Sequence, residues 1–354
     1  PIVAGGVHVT NAPDIVLKEG KSIDFVSLYE GDNSFCDFLD FINSDTVHDE
    51  LTQLGTLIDD KYVFIKERNI PNPEVMNVVP DYLDLDIGRY DSLGEIGTFR
   101  YWRPENSRGS ISLSNKGCRG HCSFCSVRNF NGAGVRSRSV WSIVDEIEIL
   151  VCKYNVNHIT WLDDDLFYNP KRTIKLFEEI TKRNLNITWD ASNGVIISSA
   201  VASPELIHGA AESGCIGMYF GIESGNPGIL REIRKPSSVK QCLKLGEIMK
   251  KYPQIFTRGF LIIGFPNETY GQMLDTVEVA QAMGLDWYTV QLLTPLPSTE
   301  IYSQMVEEGL IKDGTLNVCE DGFTMFSVRE SERQRLQELK EKTNTRNFNN
   351  YLKR

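Results

Sequence analysis

The sequence predicts an α/β fold built on a parallel sheet. Six apolar stretches of strand length recur between residues 110 and 293, and a helical pattern follows each one. The repeat of roughly 30 residues is the size of a strand–helix–strand crossover. Successive right-handed crossovers give a parallel sheet with helices outside it, either open and doubly wound or curved into a partial barrel. In both architectures, functional groups gather at the C-terminal ends of the strands.

The first 43 residues predict two further strand–helix units. Residues 1–4 and 24–29 are apolar strand candidates, and residues 13–18 and 34–42 have helical patterns. Two such units are the second half of a parallel-sheet domain, and a free-standing small domain is the alternative. Because the sequence starts at Pro1, inside an apolar PIVAGG segment, we expect the chain to be cut off at its N-terminus.

A hairpin and a linker are expected next. Residues 54–65 alternate as two strands around a turn at residues 59–61, and prolines punctuate the weakly periodic stretch that follows. The six later strands are predicted at residues 110–114, 158–162, 187–190, 216–221, 256–264 and 287–293. Their helices are predicted at residues 140–154, 171–183, 204–212, 239–251, 268–283 and 300–308. The charged residues 329–346 predict a solvated helix, with a partner-binding helix as the alternative.

Composition and charge exclude several classes of protein. A chain of 354 residues with 24% charged side chains can bury a substantial core, so a disordered chain, a collagen-like repeat and a small disulfide scaffold are excluded. The net charge of −11 disfavours a broad nucleic-acid-binding surface. No apolar run reaches the ~18 residues that a membrane span requires. Clustered cysteines predict a metal site in a reducing, cytoplasmic location.

Cys118, Cys122 and Cys125 form a C-x3-C-x2-C cluster on a loop that contains Gly117 and Gly120. Three thiolates suit zinc or an iron–sulfur cluster, but a closed zinc site needs a fourth ligand. His121 adjoins Cys122, and neighbouring residues rarely reach one tetrahedral centre together. The spacing therefore favours an iron–sulfur cluster with one open iron, and zinc or no metal remain alternatives. The other cysteines are expected to be small buried hydrophobes: Cys36, Cys152, Cys215, Cys242 and Cys319.

With Phe124 as its aromatic residue, C-x3-C-x-Φ-C resembles the signature of radical S-adenosylmethionine enzymes. Residues 160–167 (TWLDDDLF) and 218–225 (MYFGIESG) are similar to motifs at the family's second and fourth strands. Residues 259–269 (GFLIIGFPNET) resemble the fifth-strand "IxGxPxE" turn, and residues 293–302 (LTPLPSTEIY) resemble a sixth-strand segment in which Ser298 replaces the usual Gly. The resemblance covers residues 108–310 and implies a partial (β/α)6 TIM-like barrel.

The N-terminal segment adds a second resemblance. Residues 3–10 (VAGGVHVT) and 27–32 (SLYEGD) are similar to the end of a cobalamin-binding domain that precedes the barrel in one large subgroup. Residues 79–90 resemble that subgroup's linker. The chain is therefore expected to begin with the C-terminal half of a Rossmann-like cobalamin-binding domain, although the half that would carry a lower-ligand motif lies outside this sequence. Gly5, Gly6, Glu30 and Gly31 would line the cobalamin nucleotide tail.

The resemblance implies the following domains and chemistry. Residues 1–45 are the partial cobalamin-binding-like domain, 46–107 the linker, 108–310 the barrel and 311–354 a C-terminal helical extension. The three clustered cysteines would each bind one iron of a [4Fe–4S] cluster, and the fourth iron would bind the methionyl group of S-adenosylmethionine. An electron from a flavodoxin or ferredoxin would then cleave S-adenosylmethionine to methionine and a 5′-deoxyadenosyl radical. That radical would start methyl transfer, rearrangement or cyclisation of a small molecule.

The resemblance also implies contacts with S-adenosylmethionine, each with a simpler alternative. Phe124 would pack beside the adenine, or only within its loop. Asp164, in the middle of three adjacent carboxylates, would accept a hydrogen bond from the methionyl ammonium. The alternative is that at least one of the three carboxylates caps the next helix or is simply solvated. Glu223 and Ser224 would contact the ammonium or the ribose hydroxyls, or cap a helix.

Two further features complete the sequence-based picture. Gly264 and Pro266 would bring the backbone close to the adenosyl group, or simply form a turn. Between residues 118 and 140 the chain holds four arginines and no acid, so this segment would attract an anionic group or an electron donor, or balance nearby acids. The four arginines are Arg119, Arg128, Arg136 and Arg138.

The rival functions are a zinc-stabilised, non-catalytic binding module and a radical enzyme that modifies RNA or protein.

Overall fold

A computed structural model describes residues 1–43, 51–64, 70–93, 99, 102–312 and 330–351. The chain divides into two compact units, each assembled from separate stretches of sequence. The first unit comprises residues 1–76, 123–134 and 295–318, and the second comprises residues 77–122, 135–294 and 319–354. The predicted domain ranges stay a prediction.

The strands and helices of the described residues are numbered in chain order. The strands are β1 (Val3–Gly5), β2 (Phe25–Ser27), β3 (Leu54–Ile58), β4 (Lys61–Phe64), β5 (Gly109–Ser112), β6 (Asn115–Lys116), β7 (Arg136–Ser137), β8 (His158–Trp161), β9 (Thr188–Val195), β10 (Cys215–Glu223), β11 (Phe256–Ile263) and β12 (Trp287–Leu292). The helices are α1 (Val7–Asn11), α2 (Pro13–Glu19), α3 (Gly31–Ile42), α4 (Ile87–Leu93), α5 (Val127–Asn131), α6 (Val140–Tyr154), α7 (Pro170–Lys182), α8 (Ile197–Ala202), α9 (Glu205–Glu212), α10 (Pro227–Glu232), α11 (Val239–Met249), α12 (Tyr270–Met283), α13 (Glu300–Glu307) and α14 (Glu330–Tyr351).

The first unit is built on a four-stranded sheet in the order β1-β2-β3-β4. β1 and β2 are parallel, and β3 and β4 form an antiparallel hairpin beside β2. Helices α1 and α2 connect the two parallel strands, and their apolar side chains, such as Val9 and Leu17, pack against Val26. The predicted strand–helix units and hairpin are confirmed, while the short helix α1 was not predicted.

The second unit is built on a six-stranded sheet in the order β12-β11-β10-β9-β8-β5, and every adjacent pair is parallel. Each strand coincides with one of the six predicted apolar stretches, with ends that differ by up to five residues. Helix α6 occupies residues 140–154 as predicted. It begins there because the side chain of Ser139 caps the N–H of Ser142, and it ends at Asn155, whose left-handed backbone stops the helix. The parallel sheet is that of the predicted partial TIM-like barrel.

The two faces of this sheet differ in character. On one face, side chains such as Trp161, Met218 and Leu261 are fully buried in one large apolar core with the surrounding helices. On the other face of β10, β11 and β12, alternate residues stay partly exposed, as at Tyr219 and Arg258. The alternation follows from the two-residue repeat of a strand, and it defines the inner face of the partial barrel.

Aromatic side chains cover the N-terminal ends of β10 and β11. Phe99 lies so close to Gly217 that a Cβ at residue 217 would be 2.5 Å from its ring. The rings of Trp102 and Phe256 are 4.1 Å apart. Because this end of the barrel is packed with side chains, the opposite, C-terminal end is the one left for ligands.

Helix α14 packs along the edge strand β12. The N–H of Val290 donates to Oδ1 of Asn344 at 3.1 Å, and Nδ2 of Asn344 donates to the carbonyl of Val290 at 3.4 Å. Leu339 and Thr343 of the same helix are buried. The expectation of a simply solvated helix is therefore wrong for this side of α14. None of the helices in the described part of the chain combines the length and the apolar character needed to span a membrane.

The isolated cysteines divide into two groups. Cys215 and Cys242 are buried, as predicted. Cys36 and Cys152 are exposed, so the expectation that they are buried is wrong for both. Each lies on a helix face turned away from the core, and a helix leaves about half of its surface to solvent. Cys319 lies outside the described residues.

Candidate active site

The first part of the cysteine loop follows β6 in the second unit. Gly117 opens it with a left-handed backbone at φ 89°. The N–H of Gly120 donates to Sγ of Cys118 at 3.3 Å. A Cβ added to Gly120 would lie 3.4 Å from Sγ of Cys118 and 3.7 Å from Sγ of Cys122. Both sulfurs therefore border one small space that glycine leaves open, which suits an inorganic group held by thiolates.

The second part of the cysteine loop belongs to the first unit. Cys125 is exposed and Phe124 is half-buried, shortly before helix α5. Among the described residues, no three Cys, His, Asp or Glu side chains converge tightly enough to hold a single metal ion. A four-iron cluster puts each cysteine on a different iron, so its ligands do not have to converge on one point.

Three adjacent carboxylates follow β8, and each has its own partner. Oδ2 of Asp163 accepts a hydrogen bond from the N–H of Ser114 at 2.9 Å, and burial raises the pKa of this carboxyl to about 6. Asp165 accepts two hydrogen bonds from Arg119, at 2.7 and 3.0 Å. This ion pair supplies a cation to three neighbouring carboxylates, which otherwise repel one another.

Asp164 connects β8 to the cysteine loop. Its Oδ2 accepts from the N–H of Gly117 at 3.2 Å, and its Oδ1 accepts from Nδ2 of Asn193 at 3.2 Å. The side chain that caps the next helix, α7, belongs to Asn169. The alternative in which one of the three carboxylates caps that helix is therefore wrong. Asp164 is partly exposed at the C-terminal end of the sheet, and its hydrogen bond with Gly117 places it at the start of the cysteine loop.

Glu223 ends β10 in a left-handed backbone conformation, with φ 63°. Nζ of Lys235 donates to its Oε1 at 2.8 Å. Its Oε2 is buried and accepts no hydrogen bond within the described part of the chain. Helix α10, the next along the chain, is capped by Asn226, so the capping alternative is wrong for Glu223 as well. The geometry leaves one carboxylate oxygen of Glu223 able to accept from a ligand.

Ser224 and Gly225 fasten the end of β10 to helix α12. Ser224 is fully buried, and its Oγ lies 3.2 Å from Oγ1 of Thr276. The N–H of Gly225 donates to the same Oγ1 at 2.8 Å. These contacts position the strand end, and the expected contact of Ser224 with S-adenosylmethionine stays a prediction.

The turn after β11 is closed by a residue that the sequence-based list of site residues missed. The N–H groups of Gly264, at φ 87°, and Phe265 donate to Oε2 of Glu268 at 2.7 and 3.2 Å. Burial raises the pKa of Glu268 to about 7. The sequence did contain a signal for Glu268, because this residue is the final Glu of the "IxGxPxE" turn that residues 259–269 resemble. Pro266 is partly exposed between them, and the roles of Gly264 and Pro266 toward a ligand stay predictions.

Two of the four arginines near the cysteines are neutralised by acids of the second unit. Arg119 pairs with Asp165, and Arg138 pairs with Glu146, whose side chain is almost fully buried. For Arg119 and Arg138, the alternative that the arginines balance nearby acids is therefore the one that the structure supports. Arg136 lies on β7 and Arg128 on α5. Their predicted part in attracting an anion or an electron donor stays a prediction.

The residues expected around cobalamin lie at the C-terminal ends of the parallel strands of the first unit. Gly5 ends β1, and Gly6 follows it at φ 102°. Glu30 is buried just before α3, and its carbonyl accepts from Nε2 of Gln53 at 2.9 Å. Gly31 opens that helix. An open α/β sheet binds its ligands at this edge, so the placement agrees with the expectation.

Ser298, which stands where the resembling family has glycine, has φ 66°. This left-handed conformation costs a non-glycine residue roughly 1–2 kcal/mol. The strain explains in physical terms why glycine is usual at the corresponding position. The side chain of Ser298 donates to the carbonyl of Asn11 at 3.2 Å within the first unit.

Comparison with known proteins identifies the barrel. Residues 113–280 match the family model of the radical SAM superfamily, where SAM denotes S-adenosylmethionine. This chain carries a radical SAM domain. The match spans Cys118, Cys122, Cys125, Asp164 and Glu223, so the family predicted from the sequence is confirmed, together with its fold.

Relatives and solved structures agree with this assignment. An uncharacterised methyltransferase of Pyrococcus horikoshii is 28% identical over 314 residues, which are 88% of this chain and 64% of the relative. The anaerobic magnesium-protoporphyrin IX monomethyl ester cyclase of Rubrivivax gelatinosus is 24% identical over 86% of this chain and 53% of its own length. The solved structure of TsrM from Kitasatospora setae, a radical S-adenosylmethionine methyltransferase with cobalamin and a [4Fe–4S] cluster bound, has a TM-score of 0.70 at 18% identity, over 87% of this chain and 60% of that one. The chain thus spans between about half and two thirds of the length of these proteins.

Proposed function

We propose that this chain holds a [4Fe–4S] cluster on Cys118, Cys122 and Cys125 and uses it to cleave S-adenosylmethionine reductively. The observation that carries the proposal is the space that the sulfurs of Cys118 and Cys122 both border, at 3.4 and 3.7 Å from the position of a Cβ that Gly120 lacks. The spacing of the three cysteines and the radical SAM family match support Cys125 as the third ligand.

The residues of the loop fit such a cluster chemically. The Gly120 N–H that donates to Sγ of Cys118 stabilises a thiolate, because a hydrogen bond to sulfur spreads its negative charge. When bound, the cluster supplies one electron that breaks a carbon–sulfur bond of S-adenosylmethionine, giving methionine and a 5′-deoxyadenosyl radical. The chain's own contribution is to hold both groups in place and to keep water out of the barrel.

Two carboxylates would bind the methionyl ammonium of S-adenosylmethionine. Asp164 is held beside the cysteine loop by Gly117, and Glu223 presents an oxygen that has no donor within the described residues. Both lie at C-terminal strand ends of one parallel sheet, where ligands of such folds bind. Ser224 and Gly264 would position the backbone near the ribose and adenine. Phe124 and Pro266 would pack against the adenosyl group.

The reaction that follows is proposed to be methyl transfer, with rearrangement or cyclisation as the alternative. The names of the relatives include a methyltransferase and a cyclase. The placement of Gly5, Gly6, Glu30 and Gly31 at one sheet edge supports cobalamin as the methyl carrier. The substrate is proposed to be a small molecule and the electron donor a flavodoxin or ferredoxin in a reducing cytoplasm.

The cluster is tested by anaerobic reconstitution with iron and sulfide. The wild-type chain should show broad visible absorption from thiolate-to-iron charge transfer, and dithionite with S-adenosylmethionine should release 5′-deoxyadenosine. Each single variant, Cys118→Ala, Cys122→Ala and Cys125→Ala, should lose both signals. Cys152→Ala is the matched control, because this exposed thiol lies on α6 outside the loop.

The same experiment separates the rival functions. A colourless protein that holds one zinc ion and releases no 5′-deoxyadenosine would overturn the proposal in favour of a binding module. S-adenosylmethionine with a labelled methyl group then separates the reaction classes. Label in the product indicates methyl transfer, and label only in methionine indicates rearrangement or cyclisation.

A further inference from the structure

Four side chains on the inner face of the partial barrel take no part in the cofactor sites described above. Tyr219 lies on β10, Arg258 and Phe260 lie on β11, and Thr289 lies on β12. Each is partly exposed, whereas their neighbours along the strands, such as Phe220 and Leu261, are buried in the apolar core. The four side chains therefore share the face of the sheet opposite the apolar core.

Direct contacts join these four side chains into one wall. Nη2 of Arg258 donates to Oγ1 of Thr289 at 2.9 Å, and its Cζ lies 5.1 Å from the centre of the Tyr219 ring. The rings of Tyr219 and Phe260 pack edge to face, with their centres 5.8 Å apart. Contacts on two sides hold the guanidinium in a defined orientation, so little side-chain entropy remains to be lost when a ligand binds.

The charge of this wall is concentrated on Arg258. Partial burial lowers the pKa of its guanidinium. An arginine side chain nevertheless keeps its charge in proteins, because its ordinary pKa lies far above neutrality. A cation in a partly dry space attracts an anion more strongly than the same cation in water does, because the effective dielectric constant is lower. The planar guanidinium also matches the two oxygens of a carboxylate, phosphate or phosphonate.

The wall lies deeper in the barrel than the proposed S-adenosylmethionine contacts. Tyr219 precedes Glu223 by four residues on β10, which is roughly 13 Å along an extended strand. Arg258 precedes Gly264 by six residues on and after β11. The wall is therefore separate from the strand ends that would hold the methionyl group.

We infer that Tyr219, Arg258, Phe260 and Thr289 form the substrate-binding wall of this barrel and accept an oxyanion carried on a flat, apolar body. The oxyanion pairs with Arg258, and the body packs against Phe260 and the Tyr219 ring. The identification of the bound molecule as a substrate rests on the proposed function. The binding itself does not, because it needs neither the cluster nor S-adenosylmethionine.

The test uses phenylphosphonate as the probe, with benzyl alcohol as its neutral counterpart, in calorimetric titrations of the whole chain. The wild type should bind phenylphosphonate at least tenfold more tightly than benzyl alcohol. Arg258→Met should weaken phenylphosphonate binding at least tenfold, and Arg258→Lys should restore part of it. Arg183→Met is the matched control, because this surface arginine pairs with Asp145 and Glu148 and should leave probe binding unchanged.

Several results would overturn the inference. Equal affinity for the charged and the neutral probe would do so, as would undiminished binding by a folded Arg258→Met chain. Competition between S-adenosylmethionine and the probe would show that the wall holds the methionyl carboxylate instead of a substrate. If Arg258→Met fails to fold, Thr289→Val keeps the cation and should still weaken binding severalfold. A chain that binds the probe but releases no 5′-deoxyadenosine would contradict the proposed function alone.

Discussion

Nζ of Lys235 lies 2.8 Å from Oε1 of Glu223, and the two side chains are only 11% and 8% exposed. The pair lies directly over Gly221, where an added Cβ would be 2.5 Å from Oε1 and 2.8 Å from Nζ. Glycine at residue 221 therefore makes room for the pair. The ammonium group pairs with one carboxylate oxygen of Glu223 at the end of β10, where the proposed ligand would need a hydrogen-bond acceptor.

Lys235→Met should destabilise the chain, because it leaves the Glu223 carboxylate buried without its cation. Removing one partner of a buried ion pair costs about 3–5 kcal/mol of unfolding free energy. Urea denaturation of both chains at pH 7 measures the difference. The same variant should also weaken S-adenosylmethionine binding, since Lys235 no longer holds the Glu223 side chain in its position at the end of β10.

Lys250→Met is the control for this substitution. Nζ of Lys250 lies 2.6 Å from Glu247, but the two side chains are 60% and 62% exposed. Breaking a solvated pair of this kind changes stability by about 1 kcal/mol or less. If Lys235→Met costs no more than Lys250→Met, the buried pair does not stabilise the end of β10.

Gly225→Ala should be strongly destabilising. A Cβ at this residue would lie 2.5 Å from the carbonyl oxygen of Asp275 and 2.6 Å from Cα of Thr276. Because both contacts are with the backbone of α12, the whole helix would have to move, at a cost of about 2–3 kcal/mol. Thermal denaturation should show a clear fall in the melting temperature.

Gly271→Ala, on the same helix, should have the opposite effect. Beyond the backbone of its own helix, the nearest atom to an added Cβ is Oγ1 of Thr269, at 3.9 Å. Alanine is favoured over glycine in a helix by about 1 kcal/mol, so this variant should melt at the same temperature or slightly higher. Equal losses for both glycines would contradict the close contact of Gly225 with α12.

Local pattern was sufficient to predict the regular elements. The six parallel strands and their following helices have strong apolar periodicity, and helix α6 also carries explicit start and stop signals in Ser139 and Asn155. The short helices were missed, because five or six residues hold too little periodicity. Examples are α1 and α8, with 5 and 6 residues.

The partners of the site residues could not be predicted in the same way. The sequence placed three carboxylates at the end of β8, but the partner of Asp165 is Arg119, 46 residues away. The partner of Asp163 is Ser114, 49 residues away. Such pairs depend on strand order and register, which composition and periodicity do not specify. Cys36 and Cys152 show the same limit, since a helical pattern alone did not decide on which side of the helix they lie.

His158→Ala should lower stability far more than the equivalent change at an exposed histidine. The imidazole of His158 is fully buried, with Nε2 2.8 Å from Oδ2 of Asp190 and Nδ1 2.8 Å from Oγ1 of Thr188. Its removal leaves a cavity and a buried carboxylate with one partner fewer, a loss of about 3 kcal/mol or more. His208 is exposed on α9, so His208→Ala should change stability by about 0.5 kcal/mol or less. Urea denaturation of both variants decides whether the buried network is stabilising.

Glu268→Gln should change how stability depends on pH. Burial raises the pKa of Glu268 from 4.5 to about 7 in the folded chain. Between these values the folded chain keeps a proton that the unfolded chain has released, so stability falls as the pH rises through this window. Glutamine is neutral throughout, and its carbonyl oxygen can still accept from the N–H groups of Gly264 and Phe265.

The variant should therefore match the wild type near pH 4.5 and exceed it progressively up to pH 7, by at most about 3 kcal/mol. Urea denaturation at half-unit steps from pH 4.5 to pH 8 measures this difference. Glu247→Gln is the control, because Lys250 lowers the pKa of this exposed carboxylate, and its removal should give no gain with rising pH. A constant difference between Glu268→Gln and the wild type would mean that Glu268 is ionised across the whole range. The turn after β11 would then carry a negative charge, instead of a neutral carboxylic acid, at the proposed adenosyl site.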